Sequence, residues 1–184
     1  MWHPSPVPRQ AALLRGINIG PSKRVSMAHL RELVAALGYT DVETLVQSGN
    51  VVFSGADRPA RAAARIEEAL LRETGLDVPV IGRTGAELAA IVRRDPLPGA
   101  ADDPKRYHVV FLSAKPAAAL ARSVDPERYL PEAFHVQGRE VYVRWPAGAQ
   151  KARLTHAFWE RTLKVRATAR NWNTVAKLAD MTAG

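Results

Sequence analysis

An α+β fold of two tandem βαββαβ units, each with an antiparallel sheet, followed by an additional C-terminal helix, is predicted by three observations. Short apolar runs of strand length alternate with apolar stripes at helical spacing. Glycine-bearing turns punctuate them. The order strand, helix, strand, strand, helix, strand, read before residue 96, recurs after residue 104.

The elements follow in chain order. Residues 11–15 are an apolar strand entering a Gly/Asn turn, and Ser26 caps a helix through residue 37, with Met27, Leu30, Leu33, Val34 and Leu37 on one face. Gly38 stops it. Residues 42–47 and 51–54 flank Ser48-Gly49-Asn50 as a hairpin. Asp57 is placed to cap the next helix, which ends at Gly75, and residues 78–81 supply a fourth strand. Thr84-Gly85-Ala86-Glu87 reads as a capping box, opening a helix that stops before Asp95-Pro96. The proline-rich stretch up to Pro104 is the natural seam. Beyond it come a strand at 107–112, a short helix at 116–122, a hairpin of 134–137 and 140–145 around Gly138-Arg139, a helix at 153–163 and an extended piece at 166–169. A last helix, 171–181, carries Trp172, Val175, Leu178 and Ala179 on one face. The expected division is a first ferredoxin-like unit over 10–83, a capped helix and linker over 84–104, and a second ferredoxin-like unit with the C-terminal helix over 105–184. A single larger mixed α/β sheet is the alternative.

A chain of 184 residues with 47% apolar content can bury a substantial core. It contains no cysteine, which excludes disulfide scaffolds, thiolate nucleophiles, thiolate-bound zinc and iron–sulfur clusters. No apolar run approaches the length that spans a bilayer, so no membrane partner is expected. The opening eight residues hold three prolines and no apolar core, and read as a loose arm and not a signal peptide, so the cytoplasm is the expected compartment. The net charge of +8, with a pI near 10.3, suits a binder of phosphate or nucleic acid. An arginine-biased composition accounts for the same excess with no ligand.

In a βαββαβ sheet the first and second strands are parallel. The loop after the first strand therefore meets the hairpin after the second, and the first helix begins at that same end. Arg15, Asn18, Lys23, Arg24, Gln47, Ser48 and Asn50 would then form a donor-rich rim beside a helix N-terminus, suited to phosphate or carboxylate. Taken singly, each of these residues is also what a tight turn requires.

Three segments carry a resemblance to a known family. Leu14-Arg15-Gly16-Ile17-Asn18-Ile19-Gly20, Gln47-Ser48-Gly49-Asn50-Val51-Val52-Phe53 and Arg170-Asn171-Trp172-Asn173-Thr174 resemble, in order, the signatures of a bacterial family catalogued as domain of unknown function 1697. The resemblance implies two ferredoxin-like halves and no particular activity. Two departures stand out. Pro21 replaces a second glycine and stiffens the first loop, and the segment Gln150-Lys151-Ala152-Arg153-Leu154-Thr155-His156 keeps basic character but lacks a serine. Arg170, Asn171 and Asn173 add guanidinium and amide donors, with Asn171 or Asn173 also placed to cap the last helix.

No phosphate-binding glycine motif and no histidine–carboxylate cluster at ligand spacing is present, so neither a cofactor nor a metal is expected. Ser48 lacks a nucleophile elbow. His156 and Glu160, four residues apart on a helix, are the one acid–base pair worth testing. The leading expectation is a protein that binds an anionic partner, either nucleic acid or a phosphorylated small molecule. An enzyme holding an anionic substrate between the halves through Arg15, Asn18, Lys151 and Arg153 is the alternative, and a structural adaptor without a ligand is the third.

Overall fold

The computed structural model describes residues 7–184, so the opening arm read from the sequence lies outside the described residues except for Val7 and Pro8. The first part of the chain forms β1 (Arg9–Leu14), α1 (Met27–Ala36), β2 (Thr40–Leu45), β3 (Asn50–Ser54), α2 (Pro59–Thr74), β4 (Val80–Thr84) and α3 (Gly85–Arg94). The second forms β5 (Tyr107–Leu112), α4 (Ala118–Arg122), β6 (Ala133–Gln137), β7 (Glu140–Arg144), α5 (His156–Leu163), β8 (Ala167–Asn171) and α6 (Trp172–Thr182). The fold is mixed α+β, with two four-stranded antiparallel sheets and six helices among the described residues. The strand orders are β2-β3-β1-β4 and β6-β7-β5-β8. Both β1 and β2 run antiparallel to β3, so they are parallel to each other and end at the same edge.

The chain divides into two compact units. Unit 1 runs through Ala89 and takes back Leu178–Gly184, while unit 2 is Ala90–Lys177, so the divisions fall inside α3 and α6. In unit 1, Ala12, Leu14, Val51, Phe53 and Val80 of the sheet pack with Leu30, Leu33 and Val34 of α1 and Ile66, Ala69 and Leu70 of α2. In unit 2, Val110, Leu112, Val141, Val143 and Ala167 pack with Trp159 and Leu163 of α5. These stripes are the apolar spacings of the sequence made physical.

Most boundaries fall within two residues of expectation, and the capping box is present. The Thr84 amide donates to Glu87 Oε2 at 2.8 Å and the Glu87 amide to Thr84 Oγ1 at 3.1 Å. Two starts differ. Asp57 caps nothing, because α2 opens at Arg58-Pro59, where proline removes an amide that would need a cap. Its carboxylate instead accepts from Tyr39 Oη and Arg65 NH1, both at 2.8 Å, and those two bonds hold it below the usual carboxylate range. Helix α5 begins at His156 and not at Arg153, because Thr155 Oγ1 caps Phe158 N and the Glu132 carboxylate takes the amides of Arg153 and Leu154.

The two units repeat one another bond for bond at the ends of their central strands. Leu14 N donates to Gly49 O at 2.8 Å as Leu112 N does to Arg139 O at 2.9 Å. Arg15 N donates to Pro79 O as Ser113 N does to Arg166 O, each at 2.9 Å. Glu67 of α2 accepts the first amide of β4, Val80 N, at 2.7 Å, and Glu160 of α5 accepts the first amide of β8, Ala167 N, at 2.9 Å. Arg83 and Arg170 are each the fourth residue of their strand and both are buried, at 0% and 7% exposure.

Candidate functional site

The rim of unit 1 is built by three segments that meet where β1 ends. The bonds from Leu14 and Arg15 clamp the departing chain between the hairpin tip at Gly49 and the stretch before β4 at Pro79. Asn18, in the left-handed region at φ 55°, then acts as a strut. Its Oδ1 accepts from Val25 N at 2.9 Å, and its Nδ2 donates to Val25 O and Gln47 O, both at 2.8 Å. One amide thus closes the first loop upon itself and ties it to the hairpin. Ile17 and Val25, at 1% and 3% exposure, anchor the same loop in the core.

Cations line this frame. Arg15 is half-buried, and Lys23 and Arg24 are exposed. Lys23 Nζ donates to Asp77 O at 3.1 Å, which keeps it beside the segment that receives the Arg15 amide and leaves the ammonium two further donors. Immediately after them Ser26 caps α1, its Oγ accepting from His29 N at 3.1 Å. No acidic residue occupies the first turn of α1, so the positive end of the helix dipole is not neutralised from within.

The structure therefore brings Arg15, Asn18, Lys23, Arg24, Gln47, Ser48 and Asn50 to one end of unit 1, but it changes the roles of two. Asn18 was expected to offer a ligand donor, and both of its amide protons are already donated to backbone carbonyls. Asn50 was expected on the rim and is fully buried. Its Nδ2 closes the hairpin onto Leu45 O at 2.9 Å and Ser48 Oγ at 3.4 Å. Carbonyls of the loop and the hairpin take these side-chain amides as their donors. Gln47 and Ser48 remain exposed at the hairpin tip.

The other expected residues belong to unit 2. Lys151 is exposed at the end of a short 3-10 turn, Ala149–Lys151. Arg153 serves as a brace within unit 2. Its guanidinium donates to the carbonyls of Arg128, Tyr129 and Leu130, sits 3.6 Å from Glu132 Oε1, and covers the Tyr129 ring at 5.3 Å. Arg170 lies inside β8 opposite Val109, with NH1 donating to Thr168 Oγ1 and Ala169 O at 2.8 Å. Burial lowers its pKa to about 10, so it stays ionised at neutral pH. Asn171 caps α6, its Oδ1 accepting from Thr174 N at 3.0 Å, and Asn173 is exposed. Of the acid–base pair, Glu160 holds the Ala167 amide, a structural duty that its helical spacing from His156 does not reveal.

Arg83, fully buried in β4 opposite Ala11, was missed by sequence reading. Its only sequence signal is its placement in an apolar strand just before a capping threonine, which Arg170 shares before Asn171. Among the described residues no group of three His, Asp or Glu side chains is arranged to hold a metal ion, and no helix is long and apolar enough to cross a membrane.

Comparison with known proteins agrees with the fold. The model of a family described as protein of unknown function (DUF1697) matches residues 7–142. No curated protein matches the chain. Among solved structures, the conserved bacterial protein SP0830 from Streptococcus pneumoniae is 22% identical and superposes with a TM-score of 0.74, covering 95% of this chain and 98% of that one.

Proposed function

This chain belongs to the DUF1697 family, whose description names no activity, and from the geometry of its first rim we propose that unit 1 binds an anionic, phosphate-bearing ligand through Arg15, Lys23 and Arg24. One observation carries the reading: the Asn18 strut and the Lys23 bond to Asp77 O fix the loop that starts at Arg15 and carries Lys23 and Arg24 up to an α1 N-terminus with no acid in its first turn. A fixed frame lowers the entropy of ordering these side chains on binding. Arg15 supplies a planar fork and Lys23 a compact charge, a pair fitted to the oxygens of one phosphate. Gln47 and Ser48 extend the donor set at the hairpin tip. Asn18 and Asn50 preorganise the frame and do not touch the ligand. The reading of each half as a ferredoxin-like unit belongs to the same proposal and is supported by the two matching strand orders.

The test is calorimetric titration with inorganic pyrophosphate. The variant Arg15→Ala/Lys23→Ala/Arg24→Ala should weaken binding by at least about tenfold, since charge-assisted hydrogen bonds contribute about 1.5–3 kcal/mol each. Equal affinity of wild type and variant overturns the proposal.

A further inference from the structure

We infer that β6 is a self-association edge, on which a second copy of this chain pairs its own β6 antiparallel, about a two-fold axis at His135. The edge shares no residue with the first rim, so the outcome at either leaves the other standing. Its hydrogen-bond phase is fixed by the neighbouring ladder. Leu112 N donates to Arg139 O at 2.9 Å and Trp145 N to Arg106 O at 2.8 Å, at the two ends of the β5–β7 pair, with Val110 opposite Val141 between them. Alternation along an antiparallel ladder then turns Val141 and Val143 to β5 and leaves Glu140, Tyr142 and Arg144 to bond Gln137, His135 and Ala133 of β6. The N–H and C=O groups of Phe134 and Val136 therefore point away from the sheet. Among the described residues no hydrogen bond reaches 133–137 from outside that ladder. The 3-10 turn that precedes β6, Pro126–Tyr129, is drawn to the helix side, where Tyr129 packs edge-on against Phe158 of α5 at 5.3 Å.

A bare edge invites a foreign strand, and the other outer strands are guarded against it. β2 carries two acids and a bulge between Thr40 and Glu43 with Asp41 at φ 51°, and Arg9 covers it through Asp41 O and Glu43 Oε1. β4 and β8 are buried at most of their positions. β6, Ala-Phe-His-Val-Gln, has an unbroken register with β7 and no lysine, arginine, carboxylate or proline. Phe134 and Val136 pack on the core of unit 2 yet stay half-buried, and His135 and Gln137 are exposed. A second copy completes this edge by symmetry. Full overlap of the five residues puts the axis at His135 and sets Phe134 opposite Val136 of the other copy, twice. Those are the residues whose backbone groups point outward, so each pair exchanges two hydrogen bonds, while the two His135 side chains face each other as the closer non-bonded pair. Phenylalanine against valine is a favourable cross-strand pair, and no like charges are opposed.

The experiment is sedimentation velocity of the full chain from about 5 to about 500 µM. Wild type should move from monomer toward dimer as concentration rises. His135→Lys and His135→Glu each set like charges face to face across the axis and should each raise the dimer dissociation constant by about tenfold or more, although they shift the net charge in opposite directions. An equal mixture of the two variants should restore the dimer as a hetero-pair, because lysine then faces glutamate. His135 is exposed, so neither substitution disturbs the core. A wild type that stays monomeric leaves the edge to another strand and overturns the inference. A single variant that dimerises as wild type does, or a mixture that associates no better than its parts, removes His135 from the axis and overturns it as well.

Discussion

Val46 opens the four-residue turn between β2 and β3 with φ 53°, a conformation that a β-branched side chain adopts only under strain, and it is 53% exposed with little packing in return. Val46→Asn should therefore stabilise the protein by about 0.5–1 kcal/mol, seen as a higher urea midpoint with an unchanged m-value. An unchanged midpoint would show that the turn relaxes around valine at no expense. Gly49 in the same turn has the opposite character. It combines φ 84° with a site where a Cβ would stand 2.6 Å from Ile17 Cδ1 and 2.9 Å from Leu14 Cβ. Gly49→Ala should destabilise by about 2–3 kcal/mol, from left-handed strain plus displacement of core side chains. The glycine was legible, because Ser-Gly-Asn between apolar runs has a turn chemistry of its own. Val46 was not, since nothing about a valine announces a positive φ, and the burial of Asn50 depends on a carbonyl five residues back that the sequence does not point to.

At the scale of elements, the periodicities of 3.6 and 2 found the helices and strands because each buries one stripe, and they failed where a long-range bond sets a boundary. Asp57 stands where a cap belongs, yet Tyr39 and Arg65 recruit its carboxylate from positions 18 and 8 residues away in sequence. The start of α5 slips because Glu132, over 20 residues upstream, binds the Arg153 and Leu154 amides. The same kind of bond pins both last strands. Glu67 and Glu160 each accept the opening amide of β4 or β8, a donor that lies at partly buried positions. Glu67→Ala should cost about 1–3 kcal/mol by orphaning the Val80 amide, whereas Glu67→Gln keeps an acceptor oxygen and should cost less. Amide hydrogen exchange at Val80 reads the outcome: accelerated exchange in the alanine variant supports the pin, and equal protection in all three proteins rules it out.

Over the whole molecule the duplicated βαββαβ order was visible in the sequence, while the matching backbone bonds that close the ends of β1 and β5 were not, because they join residues far apart in the chain without a motif. Duplication also places His108 where unit 1 has Gln10, each the second residue of its central strand and each opposite the residue that caps the following helix. His108 is 8% exposed, packs its ring 4.0 Å from that of Trp145, and its Nδ1 has no hydrogen-bond partner among the described residues. Burial pushes its pKa down to about 4, with only the Arg106 carbonyl acting in the other direction. In the unfolded chain the ring regains its ordinary value near 6.5, so between about pH 6.5 and about pH 4 the unfolded state binds the extra proton. Stability from this residue is complete above that window and is lost as pH falls through it, by about 3 kcal/mol at most. His108→Phe keeps the stacking surface and removes the titration. Urea melts at about pH 7 and about pH 5 should show wild type losing more stability on acidification than the variant. Equal losses in the two proteins would mean that the buried ring finds a partner when protonated, and that acid stability is governed by other groups.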